Sequence, residues 1–187
     1  SHIGNRAITI ADGKRGDIGN TSKHYADSIF NQFGFDAITI SPYMGSDSIT
    51  PFIEDKRKGV FVLCLTSNNS SKDFQFIEKK DTPLYQVVAN KTKSLNNNNN
   101  LGLVVGATNE DQMSSLRDNS ETLSWLIPGI GAQGGDLEKS VYISNKNSIG
   151  IINVSRSIIF AGDCNLSAVH DAAKSFNNQI NLMDSNG

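Results

Sequence analysis

Residues 7–17 read AITIADGKRGD, an apolar run followed at once by two acidic and two basic side chains. The run at 7–11 has the length and β-branched content of a buried strand. A dinucleotide-binding α/β fold needs Gly-x-Gly-x-x-Gly after its first strand, and the turn from Asp12 to Asp17 lacks that pattern. The stretch therefore favours a barrel, in which side chains at the carboxyl ends of strands form the functional face.

The rest of the chain repeats this alternation of apolar runs and helix-like segments. We predict six strands, at 7–11, 37–41, 60–66, 101–107, 125–128 and 149–154, and helices at 21–33, 48–55, 83–93, 110–118 and 166–178. Such an alternation is typical of a parallel sheet covered by helices. The predicted fold class is α/β, a (β/α)8 TIM barrel of which this chain holds about six of the eight strands. Within the first helix Tyr25, Ile29, Phe30 and Phe33 are predicted to share a core face.

Composition narrows the class of partner. The 17 Lys and Arg nearly balance the 19 Asp and Glu and are scattered, so neither a nucleic-acid groove nor an anionic membrane surface is indicated. No apolar run approaches the ~20 residues of a membrane span, and no signal-peptide core stands at the start. Cys64 and Cys164 are far apart, which suits reduced thiols. We expect a soluble cytoplasmic protein that binds a small molecule.

The chain is expected to be one domain, residues 1–187, because no linker or composition shift divides it. The asparagine tract at 96–100 offers no apolar area to offset its ordering entropy. It is therefore predicted to be a disordered surface insertion.

The charged residues after the first strand are candidates for catalysis. If the backbone stays extended, Asp12 and Lys14 point the same way, roughly 7 Å apart. An ammonium beside carboxylates gains ~4 kcal/mol per contact at 4 Å and an effective dielectric of 20, which would keep Lys14 charged and oriented. A surface charge cluster with no chemical role is the alternative for so short a motif.

Two later strand ends indicate an anion site. Pro128 opens the glycine-rich loop PGIGAQGGD, whose backbone N–H groups could approach an anion closely. The last predicted strand ends at NVSRS, with Arg156 where barrels often bind phosphate. Singly the loop is a weak signal and Arg156 could form a structural ion pair. Together, in this order, they indicate a phosphate monoester.

Five strings together resemble the orotidine 5′-monophosphate decarboxylase family, in the branch of many bacteria and of malaria-type parasites. The resemblance covers the chain from about Arg6 to about Lys174. The strings are DGKRGDIGNT at 12–21, SPYMGSDS at 41–48, TSN at 66–68, PGIGAQGGD at 128–136 and NVSRSI at 153–158.

The resemblance implies decarboxylation of orotidine 5′-monophosphate at C6 to give UMP, the last step of UMP biosynthesis, with no metal and no organic cofactor. It implies that Lys14 stabilises the carbanion and protonates C6, while Asp12 crowds the substrate carboxylate and orients Lys14. Asp17, Ile18 and Thr21 are expected to enter the active site of a second subunit. The protein would then be a homodimer with shared active sites.

The resemblance also implies a set of substrate-binding residues. Ser67, with Thr66, is expected to bind the pyrimidine edge, and Gln133 and Arg156 the phosphate. The remaining expected contacts are made by Pro128, Gly134 and Ser155.

Two departures from the family pattern stand out. Ser41 replaces the usual Asn before Pro-Tyr, so residue 41 receives no polar role. The family barrel also begins with two strands that carry a ribose-binding Asp and a second Lys, and neither is recognisable here. We therefore expect a companion N-terminal segment, absent or on another polypeptide, because six strands alone would expose two sheet edges.

Two other functions stay open at the level of sequence. Another phosphate-binding barrel enzyme, such as a hexulose-phosphate synthase or a pentulose-phosphate epimerase, could share an Asp-x-Lys strand end. Such enzymes usually need a divalent cation, and His2, His24 and His170 show no ligand spacing. A catalytically inactive nucleotide-binding subunit is the second alternative.

Overall fold

One parallel sheet organises the protein. The computed structural model describes residues 3–4, 6–131 and 134–184. Within them, six strands lie side by side in the order of the sequence. They are β1 (Ile10–Arg15), β2 (Ala37–Ile40), β3 (Gly59–Leu65), β4 (Leu101–Val105), β5 (Ser124–Ile127) and β6 (Gly150–Ile152). A doubly wound sheet would reverse its strand order at a switch point. The unreversed order and the curl into a half-barrel confirm the predicted α/β barrel class.

Helices connect the strands. They are α1 (Gly19–Asp27), α2 (Ser46–Ile53), α3 (Leu84–Leu95), α4 (Glu110–Asn119), α5 (Leu137–Asn145), α6 (Arg156–Ile159) and α7 (Leu166–Asp184). All five predicted helices are present, but α5 and α6 were not predicted. The buried face of α5 includes Ser140 and Ser144, so α5 lacks a clear apolar period. None of the helices in the described part of the chain combines the length and apolar character of a membrane span.

The first strand differs from its prediction in a way that shapes the site. We predicted a strand at 7–11, but β1 begins at Ile10 and continues to Arg15. Ala11 pairs with Ile38 and Arg15 with Ile40, so three residues of β1 lie opposite one residue of β2. Lys14 takes a left-handed backbone conformation, with φ of 44°, which is uncommon outside glycine. The irregularity places Asp12 and Lys14 within the strand.

The sheet packs differently on its two faces. Outward side chains such as Ile38, Leu103 and Trp125 are fully buried against the helices and belong to the main core. The inner face carries a smaller cluster built on Ala37, Phe61, Val104 and Leu126, with Ile10, Leu63 and Ile151 packed beside it. Alternation along each strand explains this division. The inner face is left to line a cavity.

Two predictions about single segments are wrong. Phe33 is 71% exposed although Phe30 is buried, because residues Ser28–Gln32 form a π-helical turn that shifts Phe33 off the predicted face. The asparagine tract is an ordered turn rather than a disordered insertion. Asn100 Nδ2 lies 3.1 to 3.3 Å from the carbonyls of three residues, Ile53, Asp55 and Lys58. Asparagine amides here replace the missing apolar contacts with hydrogen bonds to backbone.

Candidate active site

A cavity of about 550 Å³ opens at the carboxyl end of the sheet. Its floor is apolar, from Ile10, Leu63, Val104, Leu126 and Ile151, and its rim is polar. Seven of the predicted site residues line it. They are Asp12, Lys14, Thr66, Ser67, Pro128, Ser155 and Arg156. The structure thus brings together strand ends that are far apart in sequence.

Asp12 and Lys14 form an ion pair at the wall of this cavity. Lys14 Nζ lies 2.6 Å from both Asp12 Oδ1 and Asp12 Oδ2. Thr39, fully buried on β2, donates from Oγ1 to Asp12 Oδ1 at 2.8 Å. Partial burial raises the pKa of Asp12, but the hydrogen bonds from Lys14 and Thr39 outweigh it and hold the pKa below its usual value. Asp12 is therefore an anion in contact with an ammonium.

The segment Thr66 to Asn68 after β3 forms a second polar wall. The Gln75 amide holds it, since Gln75 Oε1 accepts from Thr66 N–H at 2.9 Å and Gln75 Nε2 donates to Thr66 Oγ1 at 2.7 Å. Ser67 Oγ is buried, and no described residue is its hydrogen-bond partner. Gly106 makes this placement possible because any Cβ at position 106 would collide with Ser67 Oγ. A buried hydroxyl without a protein partner suits a bound ligand.

The glycine-rich loop closes on itself. Gly134 N–H donates to the Gly131 carbonyl at 2.8 Å and Gly135 N–H to the Gly129 carbonyl at 3.0 Å. Gly134 does not line the cavity, so its predicted contact with phosphate stays a prediction. Gln133 lies outside the described residues. Arg156 lines the cavity, and no ion pair to it is found in the described part of the chain.

Asp17, Ile18 and Thr21 do not line the cavity. Asp17 Oδ1 accepts from the N–H of Ile18 at 2.8 Å, immediately before α1. Ile18 is 57% exposed. Their predicted role in a second subunit stays a prediction.

Sequence reasoning missed three polar residues that line the cavity or contact Asp12. Asn68 and Asn153 line the cavity, and Thr39 holds Asp12. Both asparagines stand inside motifs that were recognised, so their position was a usable signal. Thr39 had none, because its role depends on the irregular pairing of β1 with β2. Within the described residues no cluster of His, Cys, Asp and Glu could hold a metal ion.

These features define a class: a parallel β/α barrel whose cavity is lined by a lysine–aspartate pair, an arginine and a serine with a buried hydroxyl. Comparison with known proteins is more specific. The family model for "Orotidine 5'-phosphate decarboxylase / HUMPS family" matches residues 2–169. The chain belongs to this family.

Individual relatives agree. An orotidine 5′-phosphate decarboxylase of Dehalococcoides mccartyi is 46% identical over 182 residues, which cover 93% of this chain and 67% of that protein. The solved Leishmania donovani OMP decarboxylase is 41% identical with a TM-score of 0.86, over 95% of this chain and 68% of that one. The solved Leishmania donovani UMP synthase is 42% identical with a TM-score of 0.88, over 96% of this chain and 40% of that one.

The relatives are longer than this chain. It spans 59% to 67% of the length of curated relatives from Dehalococcoides mccartyi. The two unpaired edges of the sheet, at β1 and β6, lie where a complete eight-stranded barrel would continue.

Proposed function

We propose that this chain supplies the catalytic lysine and most of the pocket of an enzyme that decarboxylates orotidine 5′-monophosphate to UMP. The observation that carries the proposal is the contact of Lys14 Nζ with both oxygens of Asp12 inside a cavity that also holds Ser67 and Arg156. The names of the relatives favour this reaction over an aldol or epimerase reaction on a sugar phosphate.

The proposed chemistry follows from the charges. The bond from C6 to the carboxylate breaks, carbon dioxide leaves, and the electron pair stays on C6. The Lys14 ammonium stabilises that charge and donates a proton to C6, and Lys14 then recovers a proton from solvent. Asp12 repels the substrate carboxylate by ~4 kcal/mol at 4 Å and an effective dielectric of 20, and this repulsion ends when carbon dioxide leaves. Preorganised charge of this kind is effective because it needs no rearrangement during the reaction.

Substrate binding is assigned to residues other than the lysine–aspartate pair. Arg156 suits a phosphate because its guanidinium can make two parallel hydrogen bonds, and Gln133, Gly134 and Ser155 complete the proposed phosphate site. Ser67, with its unpartnered hydroxyl, and Thr66 are assigned to the pyrimidine edge. Pro128 forms the adjoining wall. Phosphate binding far from C6 can drive orientation, so its loss should reduce turnover as well as affinity.

The Lys14→Ala variant tests the reaction. Decarboxylation is followed by the change in pyrimidine absorbance, with and without a chelator. We expect at least a hundredfold loss of turnover because a proton donor is removed. Lys139→Ala is the matched control, since Lys139 forms a similar 2.7 Å pair with Glu110 outside the cavity. Substantial turnover in Lys14→Ala would refute the role of Lys14, and UMP binding without turnover in the wild-type chain with its companion segment would favour an inactive subunit.

We infer further that the enzyme is a homodimer in which Asp17, Ile18 and Thr21 complete the neighbouring site. Mixed subunits test this directly. If Asp17 acts in the partner, Lys14→Ala and Asp17→Asn chains should complement each other, because half of the dimers then hold one intact site, or about a quarter of all sites. Absence of complementation would place Asp17 in its own subunit's site.

We also infer a companion segment that completes the barrel. Ile8 is 78% exposed beside β1 and Ile149 is 64% exposed beside β6, and these apolar positions flank both open edges. Two parallel strands placed between them would pair the edges and cover the apolar positions. Intact-mass analysis of active material is the test, and full activity from the 20.2 kDa chain alone would exclude the companion segment.

A cytoplasmic location completes the proposal, since Cys64 and Cys164 are free thiols.

A further inference from the structure

The hydroxyl of Thr39 occupies a gap in the pairing of β1 with β2. Residues 12–14 of β1 lie opposite Thr39 alone, because Ala11 pairs with Ile38 and Arg15 with Ile40. Regular ladder hydrogen bonds cannot form across this interval. Thr39 Oγ1 accepts from Lys14 N–H at 3.1 Å and donates to Asp12 Oδ1 at 2.8 Å. One side chain thus contacts both members of the proposed catalytic pair.

The Thr39 hydroxyl can make both hydrogen bonds at the same time. A hydroxyl has one proton and two lone pairs, and here the proton goes to a carboxylate while a lone pair receives the backbone N–H. Thr39 is completely buried, so water does not compete for either bond. Its β-branched side chain has few rotamers in a strand. The hydroxyl is therefore held rigidly under Asp12.

We propose that Thr39 is a positioning residue, which fixes the Asp12 carboxylate and the backbone of Lys14 so that the Lys14 ammonium is aimed into the cavity. The proposal rests on the proposed function for its catalytic part. Asp12 is partly exposed, with 63% of its side chain accessible, and without Thr39 it could rotate towards solvent. Lys14 has an unusual left-handed φ, and the bond from its N–H to Thr39 helps to hold that conformation.

Thr39→Val removes the hydroxyl and keeps the shape, and Thr39→Ser keeps the hydroxyl. Thr92→Val is the matched control, because Thr92 is also buried and also makes a hydrogen bond, to the Val88 carbonyl in α3, away from the cavity. Two readouts are used. The Asp12 carboxyl carbon is titrated by NMR, with Asp12→Asn for assignment, and steady-state decarboxylation is measured on the same preparations.

We expect Thr39→Val to raise the pKa of Asp12, and Thr39→Ser to restore it, because a hydrogen bond to the charged form is lost and regained. Turnover should fall roughly ten- to hundredfold in Thr39→Val, the size expected for a hydrogen bond to a charged group. KM should change little, since Ser67 and Arg156 are untouched. A residue with only a structural role would alter neither the titration nor the ratio of kcat to KM.

An unchanged Asp12 titration in Thr39→Val, or no recovery in Thr39→Ser, would overturn the proposal. Failure of the proposed function is distinguishable from this result. If the wild-type chain together with its companion segment shows no decarboxylation, the proposed function fails, while the NMR titration still decides whether Thr39 controls Asp12.

Discussion

Ser67→Ala should have opposite effects on stability and on binding. The Ser67 hydroxyl is buried, and no described residue pairs with it. Such a group destabilises the ligand-free protein because the hydroxyl loses its hydrogen bonds to water on folding and gains none in the protein. In the proposed complex the same hydroxyl binds the pyrimidine. Replacing it with a methyl group should therefore stabilise the free protein and weaken the complex.

The sizes of both effects follow from the environment. Leaving a neutral buried group unsatisfied costs about 1–3 kcal/mol, and we take about 1 kcal/mol because Ser67 lies at a cavity wall. For a chain of this length that corresponds to a rise in Tm of roughly 2–4 °C. A neutral hydrogen bond to a ligand contributes about 0.5–1.5 kcal/mol, so the Kd for UMP should rise roughly two- to tenfold.

Thermal unfolding by circular dichroism and calorimetry with UMP measure the two effects. Ser140→Ala is the control, because Ser140 Oγ is likewise buried on α5, with no partner among the described residues, and does not line the cavity. It should gain stability and bind UMP as wild type does. A lower Tm for Ser67→Ala, or unchanged UMP affinity, would refute the reasoning.

Two further predictions concern the turn before β4 and the pH dependence of stability. Asn100→Ala should lower the free energy of unfolding by about 1–3 kcal/mol because it removes the amide that bonds three carbonyls. Asn97→Ala, on the exposed part of the turn, is the control and should have little effect. Equal urea midpoints for the two variants would show that the turn is not held as described. The pKa of Asp12 is lower in the folded protein than the value of 3.8 expected in the unfolded chain. The ionised carboxylate therefore stabilises the fold at pH values above 3.8, and this contribution disappears as the pH falls through the lower folded pKa. Asp12→Asn should therefore unfold at lower urea concentration than wild type at pH 6, with a difference that shrinks below pH 4, and a difference independent of pH would contradict the assignment.

Strand positions and most of the site were predictable from the sequence. Continuous apolar runs identified β2 to β6 because both faces of a parallel sheet are covered, whereas the run at 7–11 overlaps β1 only at residues 10 and 11. Since strand ends meet at one edge, the positions of Asp12, Ser67 and Arg156 after separate strands were enough to predict that they lie together.

Other features depend on tertiary structure and have no local signal. The extension of β1 to Arg15 requires β2 beside it and the hydroxyl of Thr39 in the gap. The order of the asparagine turn depends on carbonyls about 45 residues away, which only the fold brings near. Helix α5 was missed because its buried face is partly serine, and serine burial is not marked by hydrophobic periodicity.

The division of the sheet into two faces has a consequence for protein engineering. Residues such as Ile38, Leu103 and Trp125 carry the main core on the outside, while Ile10, Leu63 and Ile151 shape the cavity from the inside and are only partly buried. A library of substitutions at these three inner positions would vary the shape of the pocket while leaving the outer core intact. This arrangement makes the chain a suitable scaffold for changing ligand preference without redesigning its fold.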